Sequence, residues 1–389
     1  MDDALDRMPI IDVDSHFTEP PDLWTSRAPA KLLAVAPRVA RAESGNDFWM
    51  VGDGQPIAPP GLCVIRPDGR KAYGTFSLPR FEEMTPAASE VGARLRAMDE
   101  LGLAVQIVYP NVLGFAGASL VRVQDPVLRA FCVGAYNDAI ADLQRESAGR
   151  LYPQALLPFW DLDACVRELE RCHDELGLVG FTMTDSPEKW SLPSLSDPHW
   201  DRLWATAQER GLPCNFHIGA GGIGDEGVWK GMPMGNALAT IAAILFMNNC
   251  RCIANLIFSG LLDRFPRQKF VSVESGIGWI PFLLEACEYQ MNESMPDGGN
   301  MKLRPTEYFR RQIYASFWFE KPDTPWAIER VGADNVMFET DFPHPTCLYP
   351  DPRKQLRRSL AGVHTDVARK VLYETAARVY QLPLPKALD

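Results

Sequence analysis

The sequence lacks a surplus of basic residues. Lys and Arg total 39 against 50 Asp and Glu, which gives a formal net charge of −11 at pH 7. Nucleic acids and anionic membrane surfaces attract clustered basic side chains. We therefore expect neither as a partner, and we expect the chain to act on a small molecule.

A signal-peptide pattern and long hydrophobic runs are also missing. Residues 1–7 are acidic and contain no apolar core of the kind that directs export. The longest apolar stretch, residues 237–247, is well short of the roughly 20 residues that cross a bilayer. We expect this stretch to form a buried helix and the protein to be cytoplasmic.

Paired cysteines are absent as well. The nine cysteines are odd in number and scattered, and the nearest pair, Cys250 and Cys252, lacks the two-residue spacer of a zinc or redox motif. We expect reduced thiols that mostly fill the core. With 46% hydrophobic and 23% charged residues, the chain has the composition of a folded globular protein.

What the chain does contain is an alternation of strand and helix patterns. Short apolar runs predict eight strands, and amphipathic stretches between them predict helices. This alternation implies a parallel α/β sheet, and eight units suggest a closed (β/α)8 TIM barrel made by residues 1–389 as a single domain. The strands are expected near residues 10–13, 105–109, 152–157, 180–184, 213–218, 269–274, 312–316 and 335–339.

Residues 20–86 interrupt the alternation. They are rich in Pro and Gly, and short apolar pieces at 48–51, 62–65 and 71–75 alternate with turn residues. We expect a small β-rich insertion after strand 1, arranged as a meander over the barrel mouth.

The run Ile11-Asp12-Val13-Asp14-Ser15-His16 places three potential metal ligands at alternate positions. Because successive strand side chains point to opposite faces, Asp12, Asp14 and His16 are expected to share one face. Burying them together costs hydration free energy, which a divalent metal would offset. The alternative is that the aspartates cap the following turn.

Other strand ends carry further ligand-type residues, where a barrel of this kind has its active site. Strand 5 ends in His217, strand 6 in Glu274 and strand 8 in Asp341. Each has an ordinary alternative, such as a core histidine or a helix cap, but together they favour a shared metal centre. His344 is expected in the loop over the mouth, where it contacts substrate, orients Asp341 or is purely structural.

These motifs resemble those of the amidohydrolase superfamily, in particular the group containing aminocarboxymuconate-semialdehyde decarboxylase and related aromatic decarboxylases and hydrolases. The resemblance covers nearly the whole chain. Beside the strand-1 run, it rests on residues 96–102, 212–217, 263–270 and 338–344. It implies a (β/α)8 barrel in which side chains of strands 1, 5 and 8 hold a divalent metal.

Carried over to this sequence, the resemblance gives Asp14, His16, His217 and Asp341 as metal ligands, with Asp341 also catalytic. Asp14 and Glu274 depart from the family pattern, because many members have histidine there. Either Glu274 binds a second metal, or it serves as general acid or base beside one metal. Three ionised carboxylates exceed the charge of one divalent ion, whereas two ions and a hydroxide balance them. We favour two ions of iron, manganese or zinc.

Hydrolysis of an amide, ester or thioester by metal-activated water is the first expectation for the reaction, and the superfamily includes a diiron thioesterase. A non-oxidative decarboxylase of an aromatic or unsaturated acid is the alternative. A metal-free binding barrel is a third, although no ligand position is obviously broken. Six aromatic residues near strand ends favour a fairly apolar substrate, although each also fits simple packing: Trp24, Phe115, Trp160, Trp279, Trp318 and Phe342. Relatives imply a homodimer, and no nucleotide cofactor is indicated.

Overall fold

All eight expected barrel strands are present, in the expected order. The structure is a computed structural model that describes residues 2–221, 228–321 and 323–385. The strands in these residues are β1 (Ile11–His16), β2 (Arg38–Arg41), β3 (Asp47–Val51), β4 (Gln55–Ala58), β5 (Val105–Tyr109), β6 (Leu151–Pro153), β7 (Phe181–Thr182), β8 (Cys214–His217), β9 (Phe270–Val273), β10 (Ile313–Phe317) and β11 (Val336–Phe338).

The barrel strands pair in parallel in the orders β1-β5-β6 and β11-β10-β9-β8-β7. Two isolated parallel bridges, Ser15 with Phe342 and Ala155 with Phe181, join the two groups at both edges. At the first of these edges the backbone N–H of His16 donates to the carbonyl of Phe342 at 2.8 Å. The expected (β/α)8 barrel is therefore confirmed.

Helices connect the strands on the outside of the barrel. Asp125 accepts a hydrogen bond from the backbone N–H of Val127 and so caps α3, whereas Gly102 ends α2 with a left-handed φ of 72°. The helices are α1 (Asp2–Arg7), α2 (Val91–Leu101), α3 (Pro126–Glu146), α4 (Leu162–Asp174), α5 (Asp201–Arg210), α6 (Met234–Ile244), α7 (Phe246–Phe258), α8 (Leu261–Arg264), α9 (Ile280–Ser294), α10 (Pro305–Gln312), α11 (Thr324–Val331), α12 (Pro352–Ser359), α13 (Thr365–Arg369) and α14 (Thr375–Val379).

The core has two layers. A small cluster that includes Val13, Ile107 and Val271 fills the barrel interior, and a larger one lies between the strands and the helices. The chain after α13 closes the N-terminal end of the barrel, since the carbonyl of Val379 accepts from Lys269 Nζ at 2.9 Å just before β9. This plug leaves the C-terminal ends of the strands as the open end.

The insertion contains the expected β meander, but most of its strands lie at other residues than predicted. Its sheet is an antiparallel meander in the order β2-β3-β4, so only the piece at 48–51 was placed correctly in a strand. The pieces at 62–65 and 71–75 share one isolated bridge between Ile65 and Lys71. They do not form strands because the backbone N–H of Val64 donates to the carbonyl of Pro343, in the loop after β11, instead of to a neighbouring strand.

The apolar stretch at 237–247 is helical, but the prediction that it is buried is wrong. No residue of α6 is buried, and Met234 and Met247 are 74% and 58% exposed. Together α6 and α7, Met234–Phe258, are long and apolar enough to cross a membrane by length and composition, which is weak evidence of a span. The helix is exposed because it lies at the barrel mouth, where Ile241 and Leu245 line the cavity described below.

Candidate metal centre

Strand β1 does not alternate regularly, contrary to the sequence prediction. Between Asp12 and Ser15 it uses one residue more than its partner β5, so the strand contains a β-bulge. Asp12 consequently faces the helices, where it accepts a hydrogen bond from Gln106 Nε2 at 2.8 Å. The bulge puts Asp14 and His16 on the opposite side of the strand from Asp12, and only these two residues of β1 reach the site.

The five predicted ligands meet at the open end of the barrel. His16 Nε2 and His217 Nε2 lie 3.1 Å apart, and Asp14 Oδ1 lies 3.5 Å from each. Glu274 Oε2 is 3.4 Å from His217 Nε2, and Asp341 Oδ1 is 3.6 Å from His16 Nε2. Ligand atoms roughly 2.1 Å from one ion lie about 3 to 3.5 Å apart, so the spacing fits metal coordination.

The hydrogen bonding of these side chains also fits a metal. Both carboxylate oxygens of Asp14 and Oδ1 of Asp341 are buried without a hydrogen-bond partner in the part of the chain that the structure describes. His217 Nδ1 donates to the carbonyl of Ile218 at 2.8 Å, which leaves the lone pair of Nε2 directed at the carboxylates. Carboxylates and neutral imidazoles are a donor set for a divalent transition metal.

The charges point to the same conclusion. Burial, together with the nearby carboxylate of Asp341, raises the pKa of Asp14 and of Glu274 well above the ordinary values. Burial lowers the pKa of His217 to about 4 and holds the pKa of His16 well below its usual range. Neutral imidazole is the metal-binding form, and a cation would stabilise the ionised carboxylates.

His344 lies beside the ligands and is buried. Its Nδ1 is 3.2 Å from Asp341 Oδ1, and its ring stacks on that of His16 with centroids 3.4 Å apart. Its Nε2 lies 2.7 Å from Asn111 Oδ1. An amide oxygen only accepts, so Nε2 carries a hydrogen and Nδ1 faces the carboxylate. His344 and Asp341 can therefore share a proton at the edge of the centre.

Two of the predicted carboxylate ligands have an unusual backbone conformation. Glu274 and Asp341 adopt φ values of 53° and 58°, in the left-handed region that side chains other than glycine rarely enter. The backbone N–H of Asp341 donates to the carbonyl of Asp14 at 2.9 Å, and that of Glu274 donates to Glu339 Oε2 at 3.1 Å. Such strain collects at functional sites.

Asn111 and Thr346 were missed in the sequence, and Glu339, at the end of the eighth predicted strand, was given no role. Asn111 lies two residues after β5, and Glu339 directly follows β11. The rule that placed the predicted ligands at strand ends could therefore have identified both residues. Thr346 had no such signal. Its Oγ1 lies 2.5 Å from Asp341 Oδ2 and 3.2 Å from Glu274 Oε1, so it holds the two carboxylates together.

A cavity of about 110 Å³ opens over the metal centre. Phe115 and Trp318 belong to its wall, as the aromatic pattern predicted, whereas the other four predicted aromatic residues do not line it: Trp24, Trp160, Trp279 and Phe342. The lining residues come from the insertion, α6 and the strand ends: Leu62, Phe76, Phe115, Ile218, Ile241, Ala242, Leu245, Glu274, Trp318, His344, Pro345 and Thr346.

Glu19 is a further buried carboxylate, three residues after β1. It accepts hydrogen bonds from the backbone N–H groups of Asn111 and Val112 at 3.0 and 3.1 Å, and so supports the loop that carries the partner of His344. Burial raises its pKa from 4.5 to about 7, although these hydrogen bonds lower it. The folded state therefore favours the protonated acid.

We expect Glu19→Gln to remove part of the pH dependence of stability. Because the folded pKa is raised, the stability that Glu19 contributes is present below pH 4.5 and is lost as the pH rises through about 7. Between pH 4.5 and about 7, the free energy of unfolding of the unsubstituted protein should therefore fall by up to about 3 kcal/mol more than that of the variant. Urea unfolding of both metal-free proteins at pH 5 and pH 8 measures the difference, and parallel pH profiles would contradict it.

A (β/α)8 barrel with carboxylates and imidazoles gathered at its strand ends defines a metal-dependent enzyme. The comparison with protein families agrees. Residues 11–382 match the family model described as Amidohydrolase, and the chain belongs to this family.

Relatives and solved structures add detail. The chain is 27% identical over 260 residues to the gamma-resorcylate decarboxylase of Polaromonas sp., an alignment that covers 64% of this chain and 76% of the relative. An amidohydrolase from Mycobacterium avium subsp. paratuberculosis has the same fold, with a TM-score of 0.70, 20% identity and 96% and 98% of the two chains covered. A dihydroxybenzoic acid decarboxylase from Polaromonas, solved with manganese and 2-nitroresorcinol, gives a TM-score of 0.60 at 17% identity, with 96% and 97% covered.

Proposed function

We propose that the protein is a metal-dependent, non-oxidative decarboxylase of a small aromatic acid. The observation that carries the proposal is the chemistry of the cavity over the metal centre. Its walls are apolar and aromatic, and among the described residues that line it only Glu274 and His344 are ionisable. Since no Lys or Arg belongs to this lining, the carboxylate of a bound acid must be neutralised at the metal centre.

The size of the cavity limits the substrate to one ring. The cavity is about 110 Å³, less than the roughly 150 Å³ of a cavity that accommodates benzene, so one ring already fills it and a second ring has no room. A polar group directed at the apolar wall would lose its water without gaining a partner, at a cost of about 1 to 3 kcal/mol. The substrate class is therefore a single-ring acid whose polar groups lie at or next to the carboxylate.

The reaction breaks the bond between the ring carbon and the carboxylate carbon. The electron pair stays on the ring carbon, which then takes a proton, and CO2 leaves. A divalent ion supplies positive charge that orients the anionic substrate. Asp341 and His344 are the proposed proton source, because His344 lines the cavity and its Nδ1 lies 3.2 Å from Asp341 Oδ1. Glu274 is placed on the opposite side of Thr346 and is the second candidate acid or base.

The relatives support decarboxylation over hydrolysis. Both the curated relative and the Polaromonas structure described above are decarboxylases by name, and hydrolysis stays a prediction from the sequence. The ligand set is rich in oxygen, which suits manganese, the ion in that Polaromonas structure. We therefore propose manganese as the metal of this centre.

Turnover in D2O tests the proposal. Mn²⁺-loaded protein incubated with monohydroxybenzoic and dihydroxybenzoic acids should release CO2 and place deuterium on the ring carbon that carried the carboxylate, as seen by NMR. Acids with a second carboxylate on the ring should react at least about 100-fold more slowly, since the cavity wall offers it no partner. Aryl esters and amides serve as the comparison set. Hydrolysis of the esters or amides, together with no CO2 release from any acid, would contradict the proposal and support hydrolysis.

A further inference from the structure

Asp12 is a fully buried carboxylate that accepts four hydrogen bonds. Its Oδ1 accepts from the backbone N–H groups of Thr340 and Asp14 at 2.8 and 3.3 Å. Its Oδ2 accepts from Thr340 Oγ1 at 2.6 Å and from Gln106 Nε2 at 2.8 Å. A carboxylate offers about four acceptor positions, so Asp12 has none left for an ion. Instead it ties the bulge of β1 to the residue before Asp341.

Gln106 and Arg94, also fully buried, hold this carboxylate from the helix side. Arg94 Nη1 donates to Gln106 Oε1 at 3.1 Å, which turns the amide NH2 group of Gln106 towards Asp12. The same guanidinium donates through Nη2 to the carbonyl of His16 at 2.5 Å and through Nε to the carbonyl of Ala87 at 2.6 Å. One hydrogen-bonded chain thus runs from α2 to the backbone of the metal ligands.

We propose that Arg94, Gln106 and Asp12 are positioning residues for metal binding. Their hydrogen bonds fix the backbone at or next to three of the five predicted ligands. Asp12 holds the N–H of Asp14 and that of the residue before Asp341, and Arg94 holds the carbonyl of His16.

Two of these backbone positions need such support. A β-bulge turns Asp14 into the site, and Asp341 adopts a φ of 58°. Unfavourable backbone conformations persist where surrounding contacts fix them, and here the contacts come from buried, mutually oriented groups. The inference rests on the metal centre of the proposed function but not on the reaction, because it concerns metal affinity.

Gln106→Met tests the proposal, because methionine keeps the length of the side chain and removes both hydrogen bonds. The matched control is Gln312→Met. Gln312 is equally buried, and its Nε2 donates to the backbone carbonyls of Phe265 and Gln268 just before β9, at the opposite end of the barrel. Three quantities are measured for each variant. Equilibrium dialysis gives the Mn²⁺ dissociation constant, the visible spectrum of the Co²⁺-loaded protein reports the metal geometry, and unfolding of the metal-free protein gives the midpoint.

We expect Gln106→Met to weaken Mn²⁺ binding roughly 10- to 100-fold and to shift the Co²⁺ absorption bands. Gln312→Met should lower the unfolding midpoint but leave the affinity and the bands unchanged. Unchanged affinity and bands in Gln106→Met, with a loss of stability like that of the control, would show a merely structural role and overturn the proposal.

A second variant covers the case in which Gln106→Met does not fold. Thr340→Val keeps the shape of the side chain and removes the hydrogen bond from Oγ1 to Asp12 Oδ2, so a weakening of Mn²⁺ binding is again expected and an unchanged affinity overturns the proposal. Failure of the unsubstituted protein to bind Mn²⁺ would instead refute the proposed function. The two failures are therefore distinguishable.

Discussion

His217→Ala is expected to abolish turnover, because the variant should no longer retain metal. The imidazole is fixed by its hydrogen bond from Nδ1 to the carbonyl of Ile218, and its Nε2 lies within 3.1 to 3.5 Å of three other ligands. Removing it leaves buried carboxylates without one of the two nitrogen donors. Loss of a supporting partner typically costs 10- to 100-fold in metal affinity, and loss of a ligand should exceed about 100-fold.

Metal content per chain after dialysis, measured by inductively coupled plasma mass spectrometry, checks this expectation alongside CO2 release. His199→Ala is the control, since His199 lies exposed at the start of the helical segment before α5. The control should keep both metal and activity. Full metal content or full turnover in His217→Ala would remove His217 from the ligand set.

Glu274→Gln is expected to lower the metal content from two ions per chain to one. The carboxylate lies 3.4 Å from His217 Nε2, and its pKa is raised by burial and by Asp341 and Asp14, so it needs positive charge nearby to stay ionised. Three ionised carboxylates carry more charge than one divalent ion neutralises. Glutamine keeps the shape but removes one negative charge, and with it the balance that holds a second ion.

The same variant separates the two roles that the sequence left open for Glu274. Metal titration monitored by Mn²⁺ electron paramagnetic resonance gives the number of ions, and CO2 release gives the rate. An unchanged metal content with a large loss of rate would contradict the two-ion prediction and assign Glu274 an acid or base role beside a single ion. Retention of both would exclude Glu274 from the centre.

The grouping of the predicted ligands could be expected from the sequence because parallel strands of a barrel bring their C-terminal ends to one edge. Short apolar runs located the strands, so His217, Glu274 and Asp341 could be placed together from the sequence alone. The arrangement within β1 was not predictable in the same way. Strict alternation predicts Asp12 and Asp14 on one face, whereas the bulge places them on opposite faces. A bulge depends on how β1 pairs with β5, and the sequence of β1 does not show that pairing.

Roles that depend on distant contacts were also missed. Arg94 is an ordinary polar position in the helical pattern of α2, yet it is completely buried behind β1. The burial of α6 was predicted from its apolar composition, but composition does not tell which faces of a helix find a neighbour. Glu339 and Asn111, in contrast, stand near strand ends and were within reach of the reasoning that identified the ligands.

The left-handed backbone of Glu274 and Asp341 has a consequence for protein engineering. Left-handed φ values of 53° and 58° cost a side chain of ordinary type about 1 kcal/mol or more, and glycine avoids this cost. Screens that select variants by thermal stability alone, without the ion, should therefore enrich substitutions at these two positions. The most heat-resistant survivors would be inert, so libraries built on this scaffold should keep both codons fixed.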